Sequence, residues 1–160
     1  HVGINQLSEL GISRGNGPHI SYDAGYGVES FDPITVDLFV PTDRQMALRY
    51  PGVDLAVALE NDSMKAGNTV VATQGSTGSS GFSLETGLVT ASGFKVEVKG
   101  TLGAGDVFHG ALVAQLIQGF PLQEAMRRAN AVAALSCLGL DAQSMIPTTT
   151  QLDAYLEANK

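Results

Sequence analysis

The chain has 160 residues, 44% of them hydrophobic and 16% charged, and its 16 acidic against 9 basic residues give a net charge of -7. This length suits one domain with a sizeable core, and the composition is too apolar for a disordered chain. No apolar run approaches the ~18 residues that a membrane span needs, so we expect no membrane partner. The acidic balance argues against nucleic-acid binding, because affinity for phosphates needs clustered Lys and Arg.

The cysteine, histidine and glycine content narrows the class further. The single cysteine, Cys137, excludes an internal disulfide and favours a reducing, cytoplasmic location. The three histidines and the cysteine have no metal-ligand spacing, so we expect no zinc site. Nineteen glycines in 160 residues are well above the usual ~7%, which indicates a fold that depends on glycine.

The first half of the chain predicts strands interrupted by helices. A short helix within the first ten residues is expected to end at Gly11. Thr42 is predicted to cap the N-terminus of a helix that runs to Tyr50, because a threonine side chain accepts from free amides there. Alternating or continuous apolar runs predict three strands, at residues 19–23, 36–40 and 68–72.

The second half predicts a strand pair, one further strand and then helices. Phe94, Val96 and Val98 alternate with charged residues, which predicts a half-buried edge strand. The remaining predicted elements are strands at residues 82–85 and 88–90, helices at 106–118 and 121–138, and a last helix capped near Thr148. Mixed strands and helices followed by a helical tail predict a single layered α/β domain over residues 1–160.

The strongest local signal is a run of small residues before an apolar helix, Thr101-Leu-Gly-Ala-Gly-Asp-Val-Phe-His-Gly-Ala111. Gly103, Ala104 and Gly105 leave backbone N–H groups uncovered, and the helix dipole adds partial positive charge, which favours an anion site. Asp106 would repel an anion there unless it acts as a base beside a phosphoryl group. The simpler alternative is that Asp106 only caps the helix.

A second signal follows the strand predicted at residues 68–72. Thr73, Gly75 and Gly78 form a turn with two glycines three residues apart and several hydroxyls able to bind phosphate oxygens. The spacing is neither a P-loop nor Gly-x-Gly-x-x-Gly. Taken alone, this segment is better explained as a serine-rich hairpin loop.

Together the two segments resemble the ribokinase-like (PfkB) family of carbohydrate kinases. The run Gly103 to Ala111 is similar to the family's C-terminal signature, Thr73-x-Gly75-x-x-Gly78 to its nucleotide loop, and residues 129–134 to its adenine-side helix. The resemblance begins near residue 17 and implies a three-layer α/β sandwich of ribokinase type. It also implies that the chain is about half of a family member, the nucleotide-binding and catalytic half, without the N-terminal half and lid.

The resemblance implies an ATP-dependent phosphotransferase, with Mg²⁺ bridging phosphate oxygens. Its substrate would be a hydroxyl of a sugar or a sugar-like small molecule. Asp106 would be the catalytic base, and the amides of Gly103, Ala104 and Gly105 would form the anion hole. The nucleotide would be bound by Thr73, Gly75 and Gly78 at its phosphates and by Asn130 beside the adenine. No protein metal ligand is assigned, and a homodimer is left open.

Some positions depart from the family pattern. Thr42 and Gln45 stand where an asparagine and a glutamate usually help to order Mg²⁺, and Gly100 and Asp141 alter a monovalent-cation site. Potassium activation is therefore left open. A non-catalytic nucleotide-binding or interaction module derived from the same family is the alternative function.

A third motif, Gly11-Ile-Ser-Arg-Gly15, fits the Gly-x-Ser-x-Gly elbow of serine hydrolases, with His109 as a conceivable partner. That elbow needs a strand before the serine and a helix after it. The sequence predicts a helix before Ser13 and a turn after it, which disfavours a hydrolase.

Overall fold

The computed structural model of the chain describes residues 7, 9–23, 31–141 and 143–160. They form two compact units. Unit 1 comprises the described residues up to Ala72 together with Gly81–Leu88, and unit 2 comprises Thr73–Ser80 and Val89–Lys160. Within these described ranges no helix combines the length and apolar character that a membrane crossing requires.

Five strands and five α-helices order the described chain. In sequence they are β1 (Ser21–Asp23), a 3-10 turn (Pro33–Thr35), β2 (Leu38–Val40), α1 (Asp43–Arg49), α2 (Leu55–Ala66), β3 (Thr69–Thr73), a second 3-10 turn (Gly75–Thr77), β4 (Gly78–Ser83), β5 (Gly87–Ser92), α3 (Ala104–Ile117), α4 (Leu122–Ser136) and α5 (Thr149–Ala158). The strands are hydrogen-bonded in the order β1-β2-β3-β4-β5. The pairs β1–β2 and β2–β3 are parallel, with Leu38 opposite both Ser21 and Thr69.

Most of the predicted elements are confirmed, with shifted ends. The strands predicted at residues 19–23, 36–40 and 68–72 are β1, β2 and β3. Thr42 caps α1 as expected: its hydroxyl accepts from the Gln45 amide at 3.1 Å, and the Gln45 side chain accepts from the Thr42 amide at 2.7 Å. This reciprocal pair is a capping box, so both side chains are occupied at the start of the helix.

The helix α2, Leu55–Ala66, has no counterpart among the predicted elements. Both of its ends carry ordinary signals: the Asp54 side chain accepts from the Ala56 amide, and Gly67 ends the helix with a φ of 65°. Its buried face includes Leu59 and the polar Asp62, so the apolar periodicity is weak. Because a polar residue occupies a core position, the hydrophobic pattern did not predict this helix.

The edge strand predicted at Phe94, Val96 and Val98 is wrong. Residues 93–98 form no strand, although Lys99 N–H donates to Cys137 O at 2.8 Å just beyond them. The apolar side chains of this extended segment line a cavity in unit 2. An alternating pattern indicates an extended segment whose side chains point to two opposite sides. Here the apolar side lines the cavity.

The N-terminal predictions have different outcomes. The helix expected before Gly11 lies mostly outside the described residues, but Gly11 does have a φ of 73°. Ser13 forms an isolated antiparallel bridge with Asn16. Across residues 9–20 the structure shows no strand before Ser13 and no long helix after it, so the hydrolase elbow is wrong.

The core of unit 1 consists of large side chains from β2, α1, α2 and β3. Phe39, Met46 and Leu59 are essentially fully buried and pack with Val36, Ala58, Val70 and Ala72. Burying each large apolar side chain contributes about 1.5–3 kcal/mol. This unit is stabilised by side-chain packing.

The core of unit 2 lies between helices. Ala131 and Val132 of α4 pack with Leu152 and Leu156 of α5. Thr148 caps α5 as predicted, through a capping box with Gln151.

Candidate functional site

The glycine-rich loop after β3, residues 74–78 (the glycine loop), is held by hydrogen bonds of its backbone and of the Gln74 side chain. Gln74 N–H donates to Gly78 O at 2.8 Å, and Ser80 Oγ donates to Gln74 Oε1 at 2.7 Å. Gly78 has a φ of 114° and a ψ of -130°, a conformation that residues with a side chain rarely adopt. Hydrogen bonds within the segment therefore hold the loop in this shape.

This loop lies at very short range from the end of β5 and the residue that follows it. A Cβ atom at Gly78 would lie 2.1 Å from Ala91 O, and one at Gly93 would lie 2.2 Å from Ser76 O. We call residues 76–79 and 91–93 the glycine crossing. Neither position accommodates a side chain unless the backbones separate.

Asn130, on α4, connects the two sides of the glycine crossing. Its Nδ2 atom donates to Ser79 Oγ at 3.1 Å, to Ala91 O at 3.0 Å and to Ser92 O at 3.3 Å. Only 7% of the residue is exposed, so water competes little for these bonds. The amide nitrogen is thus committed to protein acceptors.

The start of α3 resolves the alternative for Asp106. Gly103 is the N-cap, with a φ of 73° and no side-chain cap hydrogen bond, and α3 begins at Ala104. Asp106 lies in the first turn and is exposed, and it has no hydrogen-bond partner among the described residues. The simpler interpretation, that Asp106 serves only to cap the helix, is wrong.

The three amides of the expected anion hole differ in their occupancy. Ala104 N–H donates to Thr101 O at 3.2 Å and so belongs to a turn. Within the described part of the chain the amides of Gly103 and Gly105 have no hydrogen-bond partner. A Cβ at Gly105 would meet no atom within 4 Å, so the space beside this helix N-terminus is open. Both free amides carry the partial positive charge of the helix end.

A cavity of about 250 Å³ in unit 2 brings the two sequence signals together. Of the predicted site residues, it is lined by Thr73, Gly75, Gly78, Ala104, Gly105 and Asn130. Gly103 and Asp106 are not among its lining residues, although they directly adjoin Ala104 and Gly105. The glycine loop and the start of α3 therefore face one space.

Several lining residues were missed by sequence reasoning. The apolar part of the wall is formed by Phe94, Val96, Val98, Phe108, Ala133, Ala134 and Cys137. Phe108 and the alanines follow helical spacing, and that spacing is equally typical of residues that face the hydrophobic core. Gly93 was the one available signal, because a glycine after a strand often marks a close backbone approach.

The side chains near the cavity can be tested for their ability to bind Mg²⁺. The described residues contain no group of three or more His, Cys, Asp or Glu side chains able to hold a metal ion. Asp106 supplies a single exposed carboxylate next to the open space at Gly105. A single exposed carboxylate in an open site fits Mg²⁺, which usually keeps its waters and binds through substrate phosphates.

The positions that depart from the family pattern have local structural roles. Thr42 and Gln45 are engaged in the capping box of α1. Asp141 accepts from the amides of Gln143 and Ser144 at 2.8 and 2.7 Å, and these bonds lower its pKa below the usual value. Its carboxylate therefore serves a turn, and potassium activation stays open.

Comparison with known proteins gives a family match over most of the chain. Residues 36–149 match the model of the pfkB family of carbohydrate kinases. The chain is 28% identical over 131 residues to the deoxyribokinase of Salmonella typhi, covering 78% of this chain and 42% of that protein. It is 38% identical over 63 residues to the ribokinase of Bacillus subtilis (strain 168), covering 39% of this chain and 22% of that protein. The chain spans about half the length of the curated relatives it matches.

The fold is similar to that of solved kinases. A candidate ribokinase II from E. coli, in complex with ATP and Mg²⁺, superposes with a TM-score of 0.79 at 20% identity, over 97% of this chain and 52% of that chain. This similarity confirms the α/β ribokinase-like fold expected from the two motifs.

Proposed function

The chain belongs to the pfkB family of carbohydrate kinases, and from that premise we propose that it supplies the ATP site and the catalytic base of a kinase acting on a hydroxyl of a sugar-type small molecule. One observation carries the proposal: a single cavity is lined both by Thr73, Gly75 and Gly78 and by Ala104 and Gly105. Two segments some thirty residues apart in sequence, each with the character of a phosphate site, share one space.

The cavity suits a nucleotide in the distribution of its surfaces. The wall of Phe94, Val96, Val98 and Cys137 offers apolar contact for a base, whereas the glycine loop offers backbone amides and hydroxyls. Nucleotide sites commonly combine an apolar wall with a few placed polar groups. The E. coli structure of similar fold, which is a complex with ATP and Mg²⁺, supports the same ligand here.

The start of α3 supplies the groups for phosphoryl transfer. The free amides of Gly103 and Gly105 would stabilise the charge on the transferring γ-phosphoryl group. Asp106 would take the proton from the acceptor hydroxyl. At the same time the hydroxyl oxygen would bond to the γ-phosphorus, and the bond from that phosphorus to the departing ADP would break. Mg²⁺, when bound with the phosphates, neutralises part of their charge.

The acceptor is proposed only as a class. The matched relatives are a ribokinase and a deoxyribokinase, which favours a sugar or a related polyol for this chain. The free Cys137 is buried and fits the reducing cytoplasm in which we propose that the protein works. No residue described above selects one sugar over another.

The test replaces the proposed base. We expect Asp106→Asn to lower turnover about 10²–10⁴-fold, because the general base is lost, and to leave the Kd for ATP nearly unchanged. Turnover is measured as radiolabel transfer from γ-labelled ATP to a panel of pentoses, hexoses and nucleosides, and ATP binding by calorimetric titration. Unchanged turnover in Asp106→Asn would reject the assignment.

Glu124→Gln is the matched control. Glu124 occupies the third position of α4, as Asp106 does in α3, and both lie in unit 2. The two substitutions remove the same charge from the same place in a helix, so they share any effect on the helix dipole. We expect turnover to change only in Asp106→Asn.

The non-catalytic module remains the second candidate. Its supporting observation concerns Thr42 and Gln45, which stand where the family usually has residues that help to order Mg²⁺. Both side chains are engaged in capping α1. It predicts that ATP binds the unsubstituted protein while no member of the acceptor panel is phosphorylated.

A further inference from the structure

We propose that Gly93 and Asn130 are positioning residues that hold the glycine loop in the shape needed to bind the nucleotide phosphates. The proposal rests on the proposed ATP site and names residues of unit 2 that act on the loop from outside it. Neither residue belongs to the loop or to the start of α3. Both act through the glycine crossing.

The contribution of Gly93 is steric. An added Cβ would lie 2.2 Å from Ser76 O, 2.9 Å from Ser76 C and 3.1 Å from Gly78 N. All three atoms are backbone, so rotation of a side chain cannot relieve the clash. Any side chain at residue 93 must therefore push residues 76–78 away from their position. The absence of a side chain fixes how closely the loop sits.

The contribution of Asn130 is a set of hydrogen bonds that connects three parts of the chain. Its Nδ2 has two hydrogens and reaches three acceptors, on Ser79 at the start of β4 and on Ala91 and Ser92 at the end of β5. Two carbonyls and one hydroxyl surround the nitrogen, so its donors are used within the protein. Asn130 lines the cavity, but its amide nitrogen holds the wall rather than donating to a base.

The two contributions depend on each other. Gly93 allows the backbones to approach, and Asn130 holds them there by bonds on both sides of the crossing. Gly75, whose added Cβ would meet no atom within 4 Å, lies on the open side of this arrangement. Loss of either residue should move the loop amides relative to the phosphates, and misplacement of about 1 Å can cost as much as ~10²-fold in function.

Gly93→Ala tests the steric part, with Gly110→Ala as its control. Gly110 lies within α3, and an added Cβ there would meet no atom within 4 Å. We expect Gly93→Ala to raise the Kd and KM for ATP about tenfold or more, and to leave the KM for the acceptor unchanged. Gly110→Ala should change none of these values. An unchanged Kd for ATP in Gly93→Ala would overturn the steric part.

Asn130→Asp and Ser79→Ala test the hydrogen-bonded part. Asn130→Asp keeps the shape but turns a donor into a carboxylate oxygen that faces two carbonyls, whereas Ser79→Ala removes one acceptor only. Hydrogen exchange of residues 75–80 and 91–93, measured without nucleotide, should accelerate strongly in Asn130→Asp and mildly in Ser79→Ala. Exchange in α5, a helix of unit 2 that contains neither segment, should stay unchanged and reports whether the substituted unit is folded. If Asn130→Asp does not fold, the milder Ser79→Ala decides the outcome.

The two readouts separate this inference from the proposed function. Faster loop exchange in the variants of a protein that does not bind ATP would preserve the positioning roles and reject the ATP site. ATP binding by the unsubstituted protein, with loop exchange and Kd unchanged in every variant, would reject the positioning roles alone.

Discussion

The two units of the molecule use opposite means to fix a charged or polar group. In unit 1 the carboxylate of Asp62 is fully buried and held by Arg49 Nε at 2.7 Å and by the Tyr50 hydroxyl at 2.6 Å. In unit 2 the carboxylate of Asp106 is exposed, and the groups beside it are backbone amides and glycines. Side chains hold the first carboxylate in place, whereas the second is exposed and follows the small residues Gly103, Ala104 and Gly105.

The two carboxylates therefore differ in what they contribute: Asp62 to the stability of the fold, and Asp106 to the proposed activity. A buried ion pair costs a great deal when one partner is lost, since the remaining charge has no solvent. An exposed carboxylate beside free amides contributes little to stability and is available for a substrate. Substitutions in unit 1 should therefore lower stability, and substitutions in the cavity of unit 2 should lower binding.

The largest expected effect is on the buried ion pair. Arg49→Met should lower the free energy of unfolding by about 3–5 kcal/mol, because Asp62 would keep a buried and uncompensated charge. Asp62 Oδ2 already has no hydrogen-bond partner within the described residues, so the loss would not be absorbed locally. Urea unfolding at neutral pH measures the change.

The double variant Arg49→Met with Asp62→Leu is the control for that prediction. Replacing both partners of a buried pair by apolar residues of similar size is often neutral or stabilising. We expect the double variant to recover most of the lost stability. A double variant as unstable as Arg49→Met would mean that arginine packing over Phe39, with its guanidinium carbon 5.9 Å from the ring centre, matters more than its charge.

The second effect should appear in binding alone. Ala134→Leu adds three carbons to the wall of the 250 Å³ cavity, where they would take up space proposed for the base. We expect the Kd for ATP to rise about tenfold to a hundredfold, or ~1.4–2.8 kcal/mol, without loss of stability. Calorimetric titration and urea unfolding of the same samples give both values.

Ala154→Leu is the matched control for Ala134→Leu. Ala154 is an exposed alanine on α5, in the same unit but outside the cavity lining. It should change neither quantity. Unaltered ATP binding in Ala134→Leu would place the base elsewhere.

The third effect compares one helix cap in each unit. Thr42→Ala and Thr148→Ala should each lower the free energy of unfolding by about 1 kcal/mol, because each removes a side chain that accepts from a helix amide. Thr42→Ser should restore stability in its unit. A large drop in turnover for Thr42→Ala at unchanged stability would instead give Thr42 a role in catalysis.

The sequence predicted well what depends on local chemistry. The caps at Thr42 and Thr148 follow from the preference of hydroxyls for free amides, and the start of α3 follows from its glycines. The sequence predicted poorly what depends on distant neighbours. The helix α2 was missed because Asp62, paired with Arg49, occupies a core position. An alternating segment, Phe94 to Val98, was misassigned because a strand needs a hydrogen-bonded neighbour that the pattern does not reveal.

Site prediction followed the same division. The glycine motifs located the loop and the start of α3, since both depend on local backbone conformation. Gly93 and the bonds of Asn130 depend on two segments meeting, which spacing alone does not show. A residue can therefore line the cavity, as Asn130 does, while its contacts are visible only in the fold.

The smallest expected effect is a pH dependence confined to unit 1. Burial, reinforced by the hydrogen bond to Asp62, raises the pKa of Tyr50 from 10.0 to about 12. Since the folded-state pKa is the higher one, the folded protein keeps a proton that the unfolded chain loses, and the stabilisation is present below pH 10 and lost as the pH rises through 12. Urea unfolding between pH 9 and 12 should show this decline, and Tyr50→Phe should flatten it. A decline of the same slope in Tyr50→Phe would assign the titration to another group, whereas a flattened slope would show that the buried network of unit 1 responds to pH through its tyrosine.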